Sequence, residues 1–273
     1  MRTRFYLPAA FLAVAVVSAA QTYSMALKFK EGETIRYRET TTITRTVTAG
    51  GKTQIARLTG SHLITLNVTG DSPGRAEMSV SYSEVKVSAE LFGLPAGMSA
   101  NQQERARKMA ADVLRQDLSG PPRIQTVDSR GITTFKFAVG EGRTITIENG
   151  SFRGLVLPAK PPKMNEKWSA KVSSADPISA NSYQLNYKLV GAKIIQGEKA
   201  FKIVYSTSET RTEMQQGATA ITVMEIEGFV YIGEDSGKLL SGELNVTATT
   251  TVSDPERGPG KSVHKTLQKF TKV

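Results

Sequence analysis

The chain has 273 residues, with 35 Lys and Arg against 25 Asp and Glu for a net charge of +10, two His and no Cys. The missing thiols exclude disulfides, thiolate metal sites and a lipidated-cysteine anchor, so stability has to come from burial, which a chain of this size supports as one large domain or two modest ones. A basic balance points to polyanions only where the charges cluster, and here Arg36, Arg38 and Arg45 alternate with Thr and Glu as on the wet face of a sheet.

Arg2 and Arg4 precede an apolar run from Phe5 to Val17, and Ser18, Ala19 and Ala20 supply small residues for cleavage. This is the pattern of a signal peptide over 1–20, which implies a mature chain from about Gln21 in the periplasm or outside the cell. The apolar run is shorter than the roughly 20 residues a spanning helix needs, and no transmembrane segment is expected in the mature chain.

From residue 33 onward β-branched residues alternate with period two, which suits a pleated, half-buried surface. In 33–48, Ile35, Tyr37, Thr41, Ile43 and Val47 share one face. Gly50-Gly51 turns the chain into 53–69, and Asp71-Ser72-Pro73-Gly74 into 75–90. In that third run the apolar parity changes between Tyr82 and Val85, which predicts a bulge near Ser83–Glu84. These runs read as a meander of antiparallel hairpins.

From about Asn101 to Leu118 the period changes. Ala106, Met109, Ala110, Val113, Leu114 and Leu118 recur at three and four residues, the stripe of an amphipathic helix. Ser99 or Asn101 can cap it, and Gly120-Pro121-Pro122 ends it. Strands resume at 123–128, 133–139 and 143–148. The prolines of Leu157-Pro158-Ala159-Lys160-Pro161-Pro162 bar helix and central strand, so 158–166 reads as a connection between a half at 21–157 and a half at 167–273 within one continuous domain. The second half predicts strands at 167–173, 182–195, 199–212, 218–232, 239–252 and 261–272. Lys30-Glu31-Gly32-Glu33 before Tyr37 echoes Lys163-Met164-Asn165-Glu166 before Trp168.

Catalytic and metal motifs do not survive scrutiny. Gly70-Asp71-Ser72-Pro73-Gly74 fits G-x-S-x-G, but Pro73 has no N–H for an oxyanion hole, and strands flank the turn on both sides. Ser83-Glu84-Val85-Lys86 needs helical geometry to act as a dyad, and on a strand its two ends face opposite ways. Gly233 to Lys238 is too short for a phosphate loop. His62 and His264 read as ordinary strand residues, and Glu225 with Glu227 as an exposed acidic edge. Asn67, Asn149 and Asn245 open glycosylation triplets that matter only in a eukaryotic source. Nothing implies a cofactor, a metal, catalysis or nucleic-acid binding.

What remains is the apolar loop Leu91 to Met98 and the helix that follows it. The fold class is therefore mainly β: a large curved antiparallel sheet or half-barrel with one amphipathic helix packed on its concave face. Phe92, Leu94, Met109, Val113 and Leu114 line either an apolar ligand cavity or a filled core.

Leu27-Lys28-Phe29-Lys30-Glu31-Gly32-Glu33 leading into Arg36-Tyr37, the middle helix, and Leu157-Pro158 followed by Glu166-Lys167-Trp168 give most of the mature chain a family likeness. It resembles a bacterial family of exported proteins of unknown function, related in architecture to the lipoprotein-carrier half-barrels of the periplasm. Similar proteins often have Gly where this chain has Glu166. The resemblance implies an open curved sheet that holds an acyl chain in an apolar hollow without catalysis. Two functions follow as expectations: a non-enzymatic binding protein sheltering a lipid or other apolar ligand, or a structural domain with a solid core that pairs with an envelope protein.

Overall fold

The computed structural model describes residues 21–72, 74–93, 98–118, 123–139, 143–173, 182–215, 218–254 and 258–273. The expected signal peptide and Leu94 lie outside these residues. Strand follows strand with one interruption: β1 (Thr34–Ala49), β2 (Lys52–Ser72), β3 (Arg75–Phe92), α1 (Ala100–Leu118), β4 (Arg123–Asp128), β5 (Ile132–Val139), β6 (Arg143–Ser151), β7 (Lys167–Ser173), β8 (Ser182–Ile195), β9 (Glu198–Gln215), β10 (Ala218–Gly233), β11 (Leu239–Asp254) and β12 (Gly258–Lys272).

Among the described residues, all twelve strands form one antiparallel sheet, in the order β6-β5-β4-β3-β2-β1-β12-β11-β10-β9-β8-β7. Both halves are meanders, and the pairing of β1 with β12 sews them together. The outermost strands β6 and β7 come into contact, so the sheet curls into a nearly closed barrel. Tight turns set the registers. Gly50 and Gly51, at φ 55° and 73°, form the two-residue loop that pairs Ala49 with Lys52. That loop needs left-handed backbone at both positions, which glycine supplies without a steric penalty. The bulge expected near Ser83–Glu84 is present: the β2–β3 register shifts between Ser61 and Leu63, and Glu84 has a φ of 54°.

The two echoing segments fold alike. Glu33 N–H donates to the Lys30 carbonyl at 3.0 Å and Glu166 N–H to that of Lys163 at 3.1 Å. Each glutamate carboxylate in turn accepts from the backbone N–H of its lysine. Gly32 and Asn165 occupy the same left-handed position, at φ 78° and 65°.

The inner face holds the core. Cross-strand rows such as Tyr37–Ile64, Leu66–Val80, Ile203–Val230 and Tyr187–Tyr205 meet there. One end of the barrel is stoppered. The segment after β6 contributes Phe152, Leu155, Val156 and Leu157, and the N-terminal segment contributes Leu27, all buried. Trp168 Nε1 donates to the Val156 carbonyl at 2.8 Å and the Tyr187 hydroxyl to that of Gly154 at 3.0 Å, which fixes the stopper to β7 and β8. A Cβ on Gly228 would lie 2.6 Å from the Tyr205 ring and hydroxyl, so glycine there lets the ring lie flat across β10.

Helix α1 begins with a capping box: Gln102 N–H donates to Ser99 Oγ at 3.3 Å and Ser99 N–H to Gln102 Oε1 at 2.8 Å. It packs on β3 and β2. On those strands Leu58, Val87, Ala89 and Leu91, which share the core's parity, are half-buried, whereas Arg57, Thr59, Lys86 and Ser88 are exposed. The helix therefore covers the inner, concave face. Among the described residues, no helix is long and apolar enough to cross a membrane.

Candidate functional site: the inner wall

The alternation of β1 runs unbroken from Ile35 to Val47, with no register shift against either neighbour. Glu39 and Arg45 therefore face inward with Tyr37. Arg45, expected on the wet face, is on the other side from Arg36 and Arg38 because its parity is odd.

Just above the core lies a seam of buried polar groups. Arg153, carried in by the stopper segment at a φ of 52°, donates from Nη1 to Glu39 Oε2 at 2.7 Å, and their side chains are only 14% and 12% exposed. Its guanidinium also lies over the rings of Tyr37 and Phe270, at 4.6 and 4.7 Å. His62, opposite Glu39 on β2, places Nε2 3.6 Å from Glu39 Oε1. Burial lowers the His62 pKa, Glu39 opposes that shift, and Arg153 adds to it, so the imidazole is neutral near pH 7. Burial likewise raises the Tyr37 pKa, against the pull of Arg153.

The seam leaves Tyr37 Oη, Thr41 Oγ1 and His62 Nδ1 buried with no hydrogen-bond partner. Thr41 and His62 do not bond to each other, and both are sealed from solvent. The seam holds charge together in the interior rather than offering it to a reactant. No three His, Cys, Asp or Glu gather as a metal site among the described residues. Another buried charge, Lys238 near the stoppered end, is fully used: its Nζ bonds the Lys28 carbonyl and the Glu33 carboxylate.

Beyond the seam the long strands continue, and the wall changes character. Ile43, Val47, Leu58, Leu91, Met224 and Val246 face inward and are half-buried. Among the described helices and strands, only α1 covers part of this stretch, on the β2–β3 side. At its far end is a hollow of about 330 Å³ lined by Arg45, Val47, Gln54, Ala56, Leu91 and Phe92. A larger hollow, about 850 Å³, lies on the outer face over β7 to β11, where Lys167 and Lys188 face Glu227 and Glu243. It mixes these charged groups with Trp168, Val204 and Phe229, and Glu243 is paired with Lys269 at 3.0 Å.

The residues singled out from the sequence do not converge on one cavity. Phe92, 51% exposed, lines the small inner hollow. Leu114 is buried at 5% exposure, on the sheet-facing side of α1 with Ala106 and Ala110. Met109 and Val113, 70% and 59% exposed, lie on the far side of the same helix. The sequence reading missed Glu39, Arg45 and Arg153. A detectable signal existed for the first two, because each places a charge at an odd position in an otherwise apolar face.

No protein-family model matches the chain, and no curated protein sequence matches it. Among solved structures it is similar to lipovitellin, a structure concerned with lipid–protein interactions, with 12% identity and a TM-score of 0.41 over 90% of this chain. The chain spans 25% of that lipovitellin chain. It is also similar to a DUF1329 family protein from Desulfovibrio piger, with 11% identity and a TM-score of 0.23 over 86% of this chain and 83% of that one. The COG4313 outer membrane channel from Pseudomonas putida gives 12% identity and a TM-score of 0.21 over 90% and 97% of the two chains.

Proposed function

We propose that the chain is a non-enzymatic binding protein of the cell envelope that shelters the apolar part of a lipid-like guest against its inner wall. The observation that carries this reading is the half-buried row Ile43, Val47, Met224 and Val246, which continues the core face past the seam with no described helix packed on it. Apolar side chains on a concave surface gain by covering, at about 25 cal/mol per Å². A guest burying eight methylenes gains about 6 kcal/mol, which corresponds to a dissociation constant in the tens of micromolar.

The test is a fluorescence titration of the mature chain with the uncharged probe N-phenyl-1-naphthylamine. Saturable enhancement, displaced by dodecanol and weakened in Ile43→Glu, is the expected result; circular dichroism shows that the variant is folded. A folded protein with no saturable enhancement is a structural domain and overturns the proposal. Export is tested separately, by the mass of the chain recovered from the periplasm of an expressing bacterium. Retention of residues 1–20 on that material would count against it.

A further inference from the structure

We propose that the guest carries an anionic head, a carboxylate or a phosphate monoester, and that Arg45 holds this head while the chain lies on Val47, Ala56, Leu91 and Phe92. This rests on the binding reading above and names the ligand class it takes.

Two other arginines on the inner side have carboxylate partners. Arg153 is paired with Glu39 at 2.7 Å, and Arg211 on β9 with Glu209 at 3.2 Å. Arg45 has no carboxylate within ion-pair distance among the described residues. Its direct neighbours across the inner face are Ala56 on β2 and His264 on β12, and neither is acidic. Glu90, the nearby carboxylate on β3, lies on the outer face and is 3.8 Å from Arg57.

The exposed Arg45 side chain, without a carboxylate partner, thus borders an open hollow of about 330 Å³ that also presents Gln54, Val47, Ile55, Ala56, Leu91 and Phe92, near the lower end of the roughly 300–1,000 Å³ typical of small-molecule sites. Its planar fork of N–H donors matches two oxygens of a carboxylate or phosphate at once, with the geometry of a bidentate pair. Gln54, in the lining of the same hollow, supplies a neutral amide as a further donor. His264 supports the assignment. Burial first and Arg45 second lower its pKa, so at neutral pH it remains an uncharged donor or acceptor beside the guanidinium. The arrangement is amphiphilic: Arg45 stands level with Ala56 and Leu91, Val47 lies beyond it toward the β1–β2 turn, and Ile43 lies on its seam side.

The experiment compares dodecanoate, dodecyl phosphate and dodecanol as displacers of N-phenyl-1-naphthylamine, in the mature chain and in Arg45→Gln and Arg45→Lys. The native chain is expected to bind at least one of the anions roughly tenfold more tightly than dodecanol, because a charge-assisted bond at a partly exposed site contributes about that factor. That preference should collapse in Arg45→Gln, fall to an intermediate value in Arg45→Lys, and shrink as salt rises. Preference for dodecanoate identifies a fatty-acid head, and preference for dodecyl phosphate a phospholipid-type head. Equal affinity for anions and dodecanol in the native chain, or an anion preference that persists in Arg45→Gln, overturns the assignment while leaving the binding function standing. Failure of all three compounds to displace the probe removes the binding function itself, and this assignment with it.

Discussion

The buried pair of Glu39 and Arg153 offers the most demanding test of the seam, because it joins strand β1 to a segment 114 residues away across the barrel interior. Replacing Arg153 by Met keeps a long apolar stem against Tyr37 and Phe270 but leaves the Glu39 carboxylate buried without its cation. Breaking a buried pair from one side costs about 3–5 kcal/mol, since the remaining charge has lost its partner and stays out of water. For a protein of this size each kcal/mol moves the thermal midpoint by roughly 2–4 °C, so Arg153→Met should lower it by roughly 6–20 °C. Glu39→Gln alone strands the guanidinium in the same way. The double variant strands nothing. It should recover much of the loss, with a coupling of at least about 2 kcal/mol in a double-mutant cycle. Urea unfolding followed by circular dichroism supplies the four free energies. Additive single effects would show that Glu39 and Arg153 do not depend on each other in solution, and the argument for the seam would fail.

Two further outcomes bear on other parts of the fold. His62 is held below the ordinary imidazole pKa when folded, so between about pH 6.5 and that lower value the unfolded chain binds the extra proton. Stability is therefore fully present above about pH 6.5 and is lost as pH falls through the folded pKa, and His62→Phe should flatten the fall in thermal midpoint between pH 7.5 and 5.5; an unchanged slope would clear His62 of any part in it. On α1, Leu114→Ala should loosen the helix by about 2–3 kcal/mol, while Met109→Ser should stay within about 0.5 kcal/mol, as read by hydrogen exchange of helix amides. A larger effect at Met109 than at Leu114 would mean that the helix is seated on its other face.

Period-two alternation was sufficient to place the strands, because each has one face on the core and the residues of Ile35–Tyr37 or Phe201–Ile203–Tyr205 repeat it without interruption. The helix start, with Ser99 as one of two candidate caps, and the parity change before Val85 were legible for the same reason: both are local. The orientation of α1 was not. Its stripe is broad enough to include both Leu114 and Met109, and only the angle at which the helix meets β3 decides which of them is buried. Arg45 was misassigned by association with Arg36 and Arg38, although counting its parity from Tyr37 would have turned it inward. Arg153 could not be found this way. It belongs to no strand, and the charge it neutralises is remote in sequence.

The stitching of β1 to β12 has a consequence in time. β1 finds its second neighbour only in β12, far along the sequence, and the amide of Val273, just after β12, donates to the Arg36 carbonyl at 3.1 Å. Until β12 has docked, β1 and β11 therefore both present naked margins, and non-local pairing of that kind is slow. Loss of β12 would leave two adhesive fans in place of one smaller barrel.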